Sequence, residues 1–344
     1  MGMQELETTA RALLAPGKGI LAMDESTPTI GKRLQAADVE NTEENRIAYR
    51  EMLLGTPGLG DYISGTILYD ETIRQSISDG TPFPALIQKQ GIVPGIKVDA
   101  GAKPLALHPD EKITEGLDGL RERLAEYRDL GARFAKWRAV ITIGSEIPSR
   151  ACIEANAHAL ARYAALCQER GIVPIVEPEV LMDGGHGIDQ CYATTHDTVH
   201  TVFEELYRQG VSFQGMILKA SMVLSGKDNP EQAGPEQVAA QTIHLLRNTV
   251  PASVPGIAFL SGGQSDELAT LHLNTMNEMT KDMKLPWRLT FSYARALQHP
   301  ALMRWRGEPG NVEAARKLLL HRARCNAAAS VGEYSTQMEQ EEAA

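Results

Sequence analysis

Eight short apolar runs, separated by segments of helical period, predict a (β/α)8 TIM barrel for this chain of 344 residues. Seven of the eight runs end in a charged or anion-compatible residue, and such a barrel gathers the C-terminal ends of its strands on one face. No GxGxxG turn follows the first run, which removes the main reason to prefer an open, doubly wound sheet. About 250 residues is typical of the barrel. The excess is expected as an N-terminal helix, an insertion after the second strand and a C-terminal helical extension with a tail.

Each element follows from its local pattern. Residues 1–19 read as a polar-faced helix and lack the apolar core of a signal peptide. GILAMD (19–24) is a strand ending in Asp24, and ESTPTIGKR (25–33), with Pro28 and Gly31, is predicted as loop. A helix over 40–54 stops at Gly55, and the second and third strands are DYISGTIL (61–68) and GIVPGIKVD (91–99). The apolar period over 115–131 predicts a helix, and ARFAKWRAVI (132–141) alternates as a strand. A long helix over 149–170 leads to GIVPIVEPE (171–179), then a DGGHG loop and a helix over 196–209. FQGMILKAS (213–221) is the sixth strand, followed by a helix over 234–250. GIAFLSGG (256–263) and WRLTFSYAR (287–295) complete the strands, with a helix over 265–279 between them. A helix over 311–328 precedes a polar tail, expected to be mobile from about 330 to 344. No Pro/Gly/Ser-rich linker divides the chain, so one barrel domain over 1–344 is expected.

Composition narrows the function classes. A net charge of -10 argues against a general nucleic-acid or anionic-membrane surface, so any basic site must be local. The cysteines at 152, 167, 191 and 325 form no CxxC pair and read as reduced thiols of a cytoplasmic protein. No run approaches the roughly 18 apolar residues of a membrane span.

The chemistry centres on Lys219, at the end of an apolar strand. Burying an ammonium is unfavourable, and such a group tends to shed its proton. A neutral amine is what carbonyl chemistry requires, and an ordinary lysine is neutral in only about one molecule in 2,500 at pH 7. Lowering its pKa by about three units takes roughly 4 kcal/mol, which burial and a second nearby cation supply. The other strand ends offer Asp24, Lys97, Lys136 with Arg138, Glu177 with Glu179, Ser261 with Gly262 and Gly263, and Arg295. A strand-end charge taken alone is usually solvated or paired; their convergence on one face points to a site. The SGG turn before a helix, together with Arg295, suits a phosphate. Lys97, Arg138, Lys32 and Arg33 suit a second anion, which implies a substrate with phosphate at both ends. Between these anion sites lie two amines and two carboxylates, the set needed for an imine and its proton transfers. His196 and His200 have the spacing of helical metal ligands, but Asp197 stands where a zinc protease carries Glu, and the pair reads as a solvated helix face. His186 reads as a loop residue. No metal site and no cofactor are expected.

Seven stretches, GILAMDEST, GIKVD, FAKWR, IVPIVEPE, LKASMV, FLSGGQS and LTFSYARAL, occur in an order and spacing that closely resemble class I fructose-1,6-bisphosphate aldolases of the metal-free Schiff-base type, in their bacterial branch. The resemblance spans residues 19 to about 297. It implies reversible cleavage of fructose 1,6-bisphosphate to dihydroxyacetone phosphate and glyceraldehyde 3-phosphate. Lys219 is implied as the imine lysine, Glu177 as the acid/base of carbinolamine formation, Asp24 as the base for the C4 hydroxyl, Lys136 as the cation beside Lys219 and Glu179 as a supporting carboxylate. Ser261, Gly262, Gly263 and Arg295 resemble the C1-phosphate site. Lys97 and Arg138, with Ser26, Thr29, Lys32 and Arg33, resemble contacts to the hydroxyls and the other phosphate. A homotetramer is expected from the family. The family's DESTGSIAKR is DESTPTIGKR here, its FSYGR is FSYAR, and the nearest tyrosine to the last residue is Tyr334, so the usual tail-tyrosine assistance to enamine protonation is expected to be missing or supplied otherwise. A sedoheptulose-bisphosphate preference would use the same residues. A catalytically silent scaffold would have no need of Lys219, Glu177 and Asp24 together.

Overall fold

The computed structural model describes residues 2–340. Its strands are β1 (Gly19–Ala22), β2 (Ile63–Leu68), β3 (Val93–Lys97), β4 (Gly101–Pro104), β5 (Lys112–Glu115), β6 (Phe134–Ile141), β7 (Val173–Val180), β8 (Ile217–Ala220), β9 (Gly256–Phe259) and β10 (Arg288–Tyr293). Eight of them close a parallel barrel in the order β1-β10-β9-β8-β7-β6-β3-β2, as expected. β4 and β5 form an antiparallel hairpin outside it, which the sequence reading missed. Ala102, Lys103 and Pro104 are exposed and leave no apolar alternation to read.

Side chains along a strand alternate between barrel interior and helical shell. The inward set on β6 is Phe134, Lys136 and Arg138; on β7 it is Val173, Ile175, Glu177 and Glu179; on β8 it is Ile217 and Lys219. Each strand is therefore apolar low in the barrel and charged at its C-terminal mouth. Ile20, Ala22, Ile67, Phe134, Val173, Ile175, Ile217 and Ala258 form the interior cluster, and the N-terminal helix Met3–Leu13 adds Leu6, Ala10 and Leu13 from below. Phe134 fits because its neighbour is glycine: a Cβ on Gly95 would stand 2.3 Å from the Phe134 ring. The larger core lies between the strands and the outer helices.

Four local readings differ from the structure. Residues 27–36 form the helix Thr27–Ala36 instead of a loop, with Ser26 at its N-cap and Pro28 in the first turn, where a missing N–H costs nothing. The helix expected over 196–209 begins at Ile188, and a further helix, Arg295–Trp305, follows β10 directly with Pro300 inside it, which masked the pattern. The tail beyond the helix Val312–Ala329 is docked as far as Gln340: Tyr334 is buried and Arg322 donates to Glu339. Residues 341–344 of that tail lie outside the described residues.

Candidate active site

The mouth of the barrel holds a cavity of about 270 Å3 into which Asp24, Ser26, Thr29, Arg33, Lys97, Lys136, Arg138, Glu177, Glu179, Lys219, Ser261, Gly262 and Arg295 project. Two expected residues fall beside it. Lys32 lines an adjoining cleft that also includes Arg33 and Arg295, because on its helix it points one position away from Arg33. Gly263 lines a neighbouring lobe of about 370 Å3 that shares Arg138, Glu179, Gly262 and Arg295 with the main cavity. Tyr334 is absent from the cavity lining; its hydroxyl donates to Glu339 at 2.9 Å.

At the centre one carboxylate joins two amines. Lys219 Nζ lies 3.0 Å from Glu177 Oε1, and Lys136 Nζ lies 3.4 Å from Glu177 Oε2 and 2.6 Å from Asp24 Oδ2. Register explains the meeting: Arg138 pairs with Glu177 across β6 and β7, and Ile175 pairs with Ile217 across β7 and β8, so the inward side chains step around the mouth. Lys136, Lys219 and Glu177 are all buried. Burial pushes the Asp24 carboxyl up, but the ammonium groups of Lys136 and Lys219 outweigh it and bring it to about 2 from an ordinary 3.8. Burial likewise pulls Lys136 down, and Asp24, Glu177 and Asp99 more than reverse it, so Lys136 keeps its proton well above the usual lysine range. The site thus holds a fixed cation beside Lys219 and an ionised base at Asp24.

The anion-compatible groups lie on either side. Ser261 is buried after β9, and Gly262 has φ +58, a left-handed turn that favours glycine. Arg295 donates to the Gln264 carbonyl and so reaches the same turn. Elsewhere on the rim Arg138 pairs with Glu179, Lys97 pairs with Asp99 at 2.7 Å, and Arg33 pairs with Glu25.

Several contributors escaped the sequence reading. Asp99 fixes Lys97 and accepts from the Arg138 amide at 3.3 Å; its place in GIKVD at a strand end was the available signal. Glu25, next to Asp24, is buried between Arg33 and Arg50. Gln264 donates to the Ser261 carbonyl at 3.0 Å, and its Oε1 lies 2.6 Å from His272 Nδ1. Burial lowers His272 to about 4, so its neutral ring donates to Gln264 and fixes the turn. Met182 Sδ accepts from the Gly263 amide at 3.0 Å, a contact between distant loops that no local motif announces.

The family model described as fructose-bisphosphate aldolase class-I matches residues 5–344. A probable fructose-bisphosphate aldolase class 1 of Xanthomonas campestris pv. campestris is 59% identical over 335 residues, covering 97% of this chain and 99% of the relative. The chloroplastic fructose-bisphosphate aldolase 1 of Arabidopsis thaliana is 51% identical, over 98% of this chain and 84% of its own length. Among solved structures, the fructose-bisphosphate aldolase of Plasmodium falciparum, in complex with TRAP and a small-molecule inhibitor, superposes with a TM-score of 0.95 at 47% identity, covering 96% of this chain and 95% of that one. With the lysine-carboxylate centre at the mouth of a closed barrel and these matches along nearly its whole length, the chain belongs to the class-I fructose-bisphosphate aldolase family.

Proposed function

We propose that the chain cleaves fructose 1,6-bisphosphate reversibly to dihydroxyacetone phosphate and glyceraldehyde 3-phosphate through an imine on Lys219, as a lyase of glycolysis and gluconeogenesis. The observation that carries this reading is the Glu177 carboxylate held between Lys219 and Lys136, with Asp24 on the far side of Lys136. Glu177 takes a proton from Lys219 Nζ, the free amine adds to the C2 carbonyl, and Glu177 returns that proton to the carbinolamine hydroxyl so that it leaves as water. Asp24 takes the C4 hydroxyl proton, the C3–C4 bond breaks, and its electron pair passes into the protonated imine to give an enamine. Glyceraldehyde 3-phosphate departs, Asp24 gives its proton up to solvent, C3 takes one from solvent, and water returns to release dihydroxyacetone phosphate and the free amine. Ser261, Gly262, Gly263 and Arg295 are assigned to the C1 phosphate. Lys97, Arg138, Ser26, Thr29, Lys32 and Arg33 are assigned to the hydroxyls and the second phosphate, with Glu179 holding Arg138.

Incubation with dihydroxyacetone phosphate and EDTA, borohydride reduction and peptide mapping test the reading. A stable adduct on Lys219 supports it, whereas cleavage that EDTA abolishes, with no adduct, overturns it. We further propose one domain, a cytoplasmic location and a homotetramer, the last two on the family resemblance and the reduced state expected of the four buried cysteines. Among the described residues no helix is long and apolar enough to cross a membrane. A single unfolding transition and a mass by light scattering four times that of the chain are the expected results.

A further inference from the structure

The helix Val312–Ala329 carries His321 and Cys325 four residues apart, hence on one face. Beyond it the Tyr334 amide donates to Asn274 Oδ1 at 3.0 Å, and the segment that follows brings Glu339 beside the pair. His321 Nε2 lies 3.7 Å from Cys325 Sγ and 3.5 Å from Glu339 Oε2, and all three atoms fall within 4.8 Å of one another. Around a tetrahedral zinc, with ligands at roughly 2.0–2.3 Å, neighbouring ligand atoms stand roughly 3.3–3.6 Å apart. The two His321 edges lie within about 0.2 Å of that geometry, and the Cys325–Glu339 edge is no longer than 4.8 Å.

We propose that His321, Cys325 and Glu339 are the protein ligands of a structural zinc site that latches the C-terminal segment to the outer helix. Thiolate and imidazole select zinc over magnesium or calcium, which prefer oxygen alone. Arg322 donates to both Glu339 oxygens at 2.6 Å, and this hydrogen bonding orients the carboxylate, as ligating carboxylates require. Cys325 is fully buried, while the His321 and Glu339 side chains are 13% and 21% exposed, so solvent reaches the cluster at these two residues. On binding, the Cys325 thiol gives its proton to solvent and the thiolate joins the metal. None of the three ligands lines the cavity around Lys219, so the site is separate from the cleavage chemistry.

The test uses the full chain, stripped of metal and titrated with Co2+. The expected result is a near-ultraviolet thiolate-to-cobalt band with the visible bands of tetrahedral cobalt, at one ion per chain, bleached by Zn2+. Cys325→Ser should remove the near-ultraviolet band. Glu339→Gln, at a less buried position, should weaken cobalt binding at least about tenfold. Zinc should also slow proteolysis of the C-terminal segment in the wild type and leave Cys325→Ser unprotected. No thiolate band in the wild type, the same band in Cys325→Ser, or unchanged affinity in Glu339→Gln overturns the proposal.

Discussion

Two buried ion networks stand close together in this molecule, and they use different cations. At the barrel mouth Asp24, Lys136, Glu177 and Lys219 form a chain of carboxylates and lysines. Next to Asp24 in sequence, Glu25 and, further on, Glu71 are held by arginines: Arg50 lies 3.6 Å from Glu25 and 3.8 Å from Glu71, Arg46 lies 2.5 Å from Glu71, and Arg33 pairs with Glu25. Arginine stays charged at any pH a protein survives, and its fork fixes two partners at once. Lysine gives up its proton when its surroundings demand it. The arginine network is thus suited to holding helices in place, and the lysine network to moving protons and attacking a carbonyl.

Exchanging cation types breaks the comparison most sharply. Lys219→Arg keeps the positive charge but removes the nucleophilic amine, so cleavage should fall by at least about 10^4-fold and borohydride trapping should vanish. Trapping that persists in this variant would remove Lys219 from the centre of the site. Glu177→Gln keeps shape and hydrogen bonding but cannot shuttle the proton; kcat should drop by about 10^2 to 10^4 while the protein stays folded. A fall in substrate affinity alone, with kcat intact, would make Glu177 only a spacer between the lysines.

In the arginine network the same kind of change should act on stability. Arg50→Met leaves Glu25 and Glu71 short of a buried cation and should cost about 3–5 kcal/mol in chemical denaturation. Molecules that remain folded should keep most of their kcat, because Arg50 does not line the cavity. Unchanged stability would mean that Arg33 and Arg46 suffice to neutralise the two carboxylates.

The two networks were not equally legible in the sequence. Lys219, Glu177 and Lys136 stand at inward positions of β8, β7 and β6 and Asp24 just past β1, and the inward residues of a barrel's strands converge at its mouth, so period-2 patterning along apolar runs brought them together. Glu25, Arg50 and Glu71 come from a strand-helix junction and two separate helical segments, and nothing local says that they meet. Asp99 and Gln264 lay in between: each sits inside a motif that was read, but its role depends on a hydrogen bond to a backbone group that only the folded loop supplies. The helix Thr27–Ala36 was lost because Pro28 and Gly31 look like loop residues until Pro28 is seen in the first turn.

The lysine network also predicts a pH dependence. Asp24 is held at about 2 when folded, against an ordinary 3.8. Its carboxylate is favoured in the folded state, so it stabilises the fold above pH 4, and that stability is lost as pH falls from about 4 towards 2. That lowering corresponds to roughly 2 kcal/mol. Comparing denaturation midpoints of the wild type and Asp24→Asn from pH 6 downward should show the wild type losing stability faster below pH 4. Parallel curves would mean that Asp24 is not held ionised by Lys136 and Lys219.

The smallest effect belongs to a neutral hydrogen bond that serves the site without charge. Ser265 caps the helix Asp266–Met279 by accepting from the Leu268 amide at 3.1 Å, one residue beyond the SGG turn. Ser265→Ala should cost about 1 kcal/mol, an ordinary N-cap loss. Because Gln264 and His272 hold the turn independently, the KM for fructose 1,6-bisphosphate should move much less than in Arg295→Ala. If Ser265→Ala raised KM as much as Arg295→Ala, the turn would owe its shape to the helix start, and the division between network and scaffold would have to be redrawn at this end of the cavity.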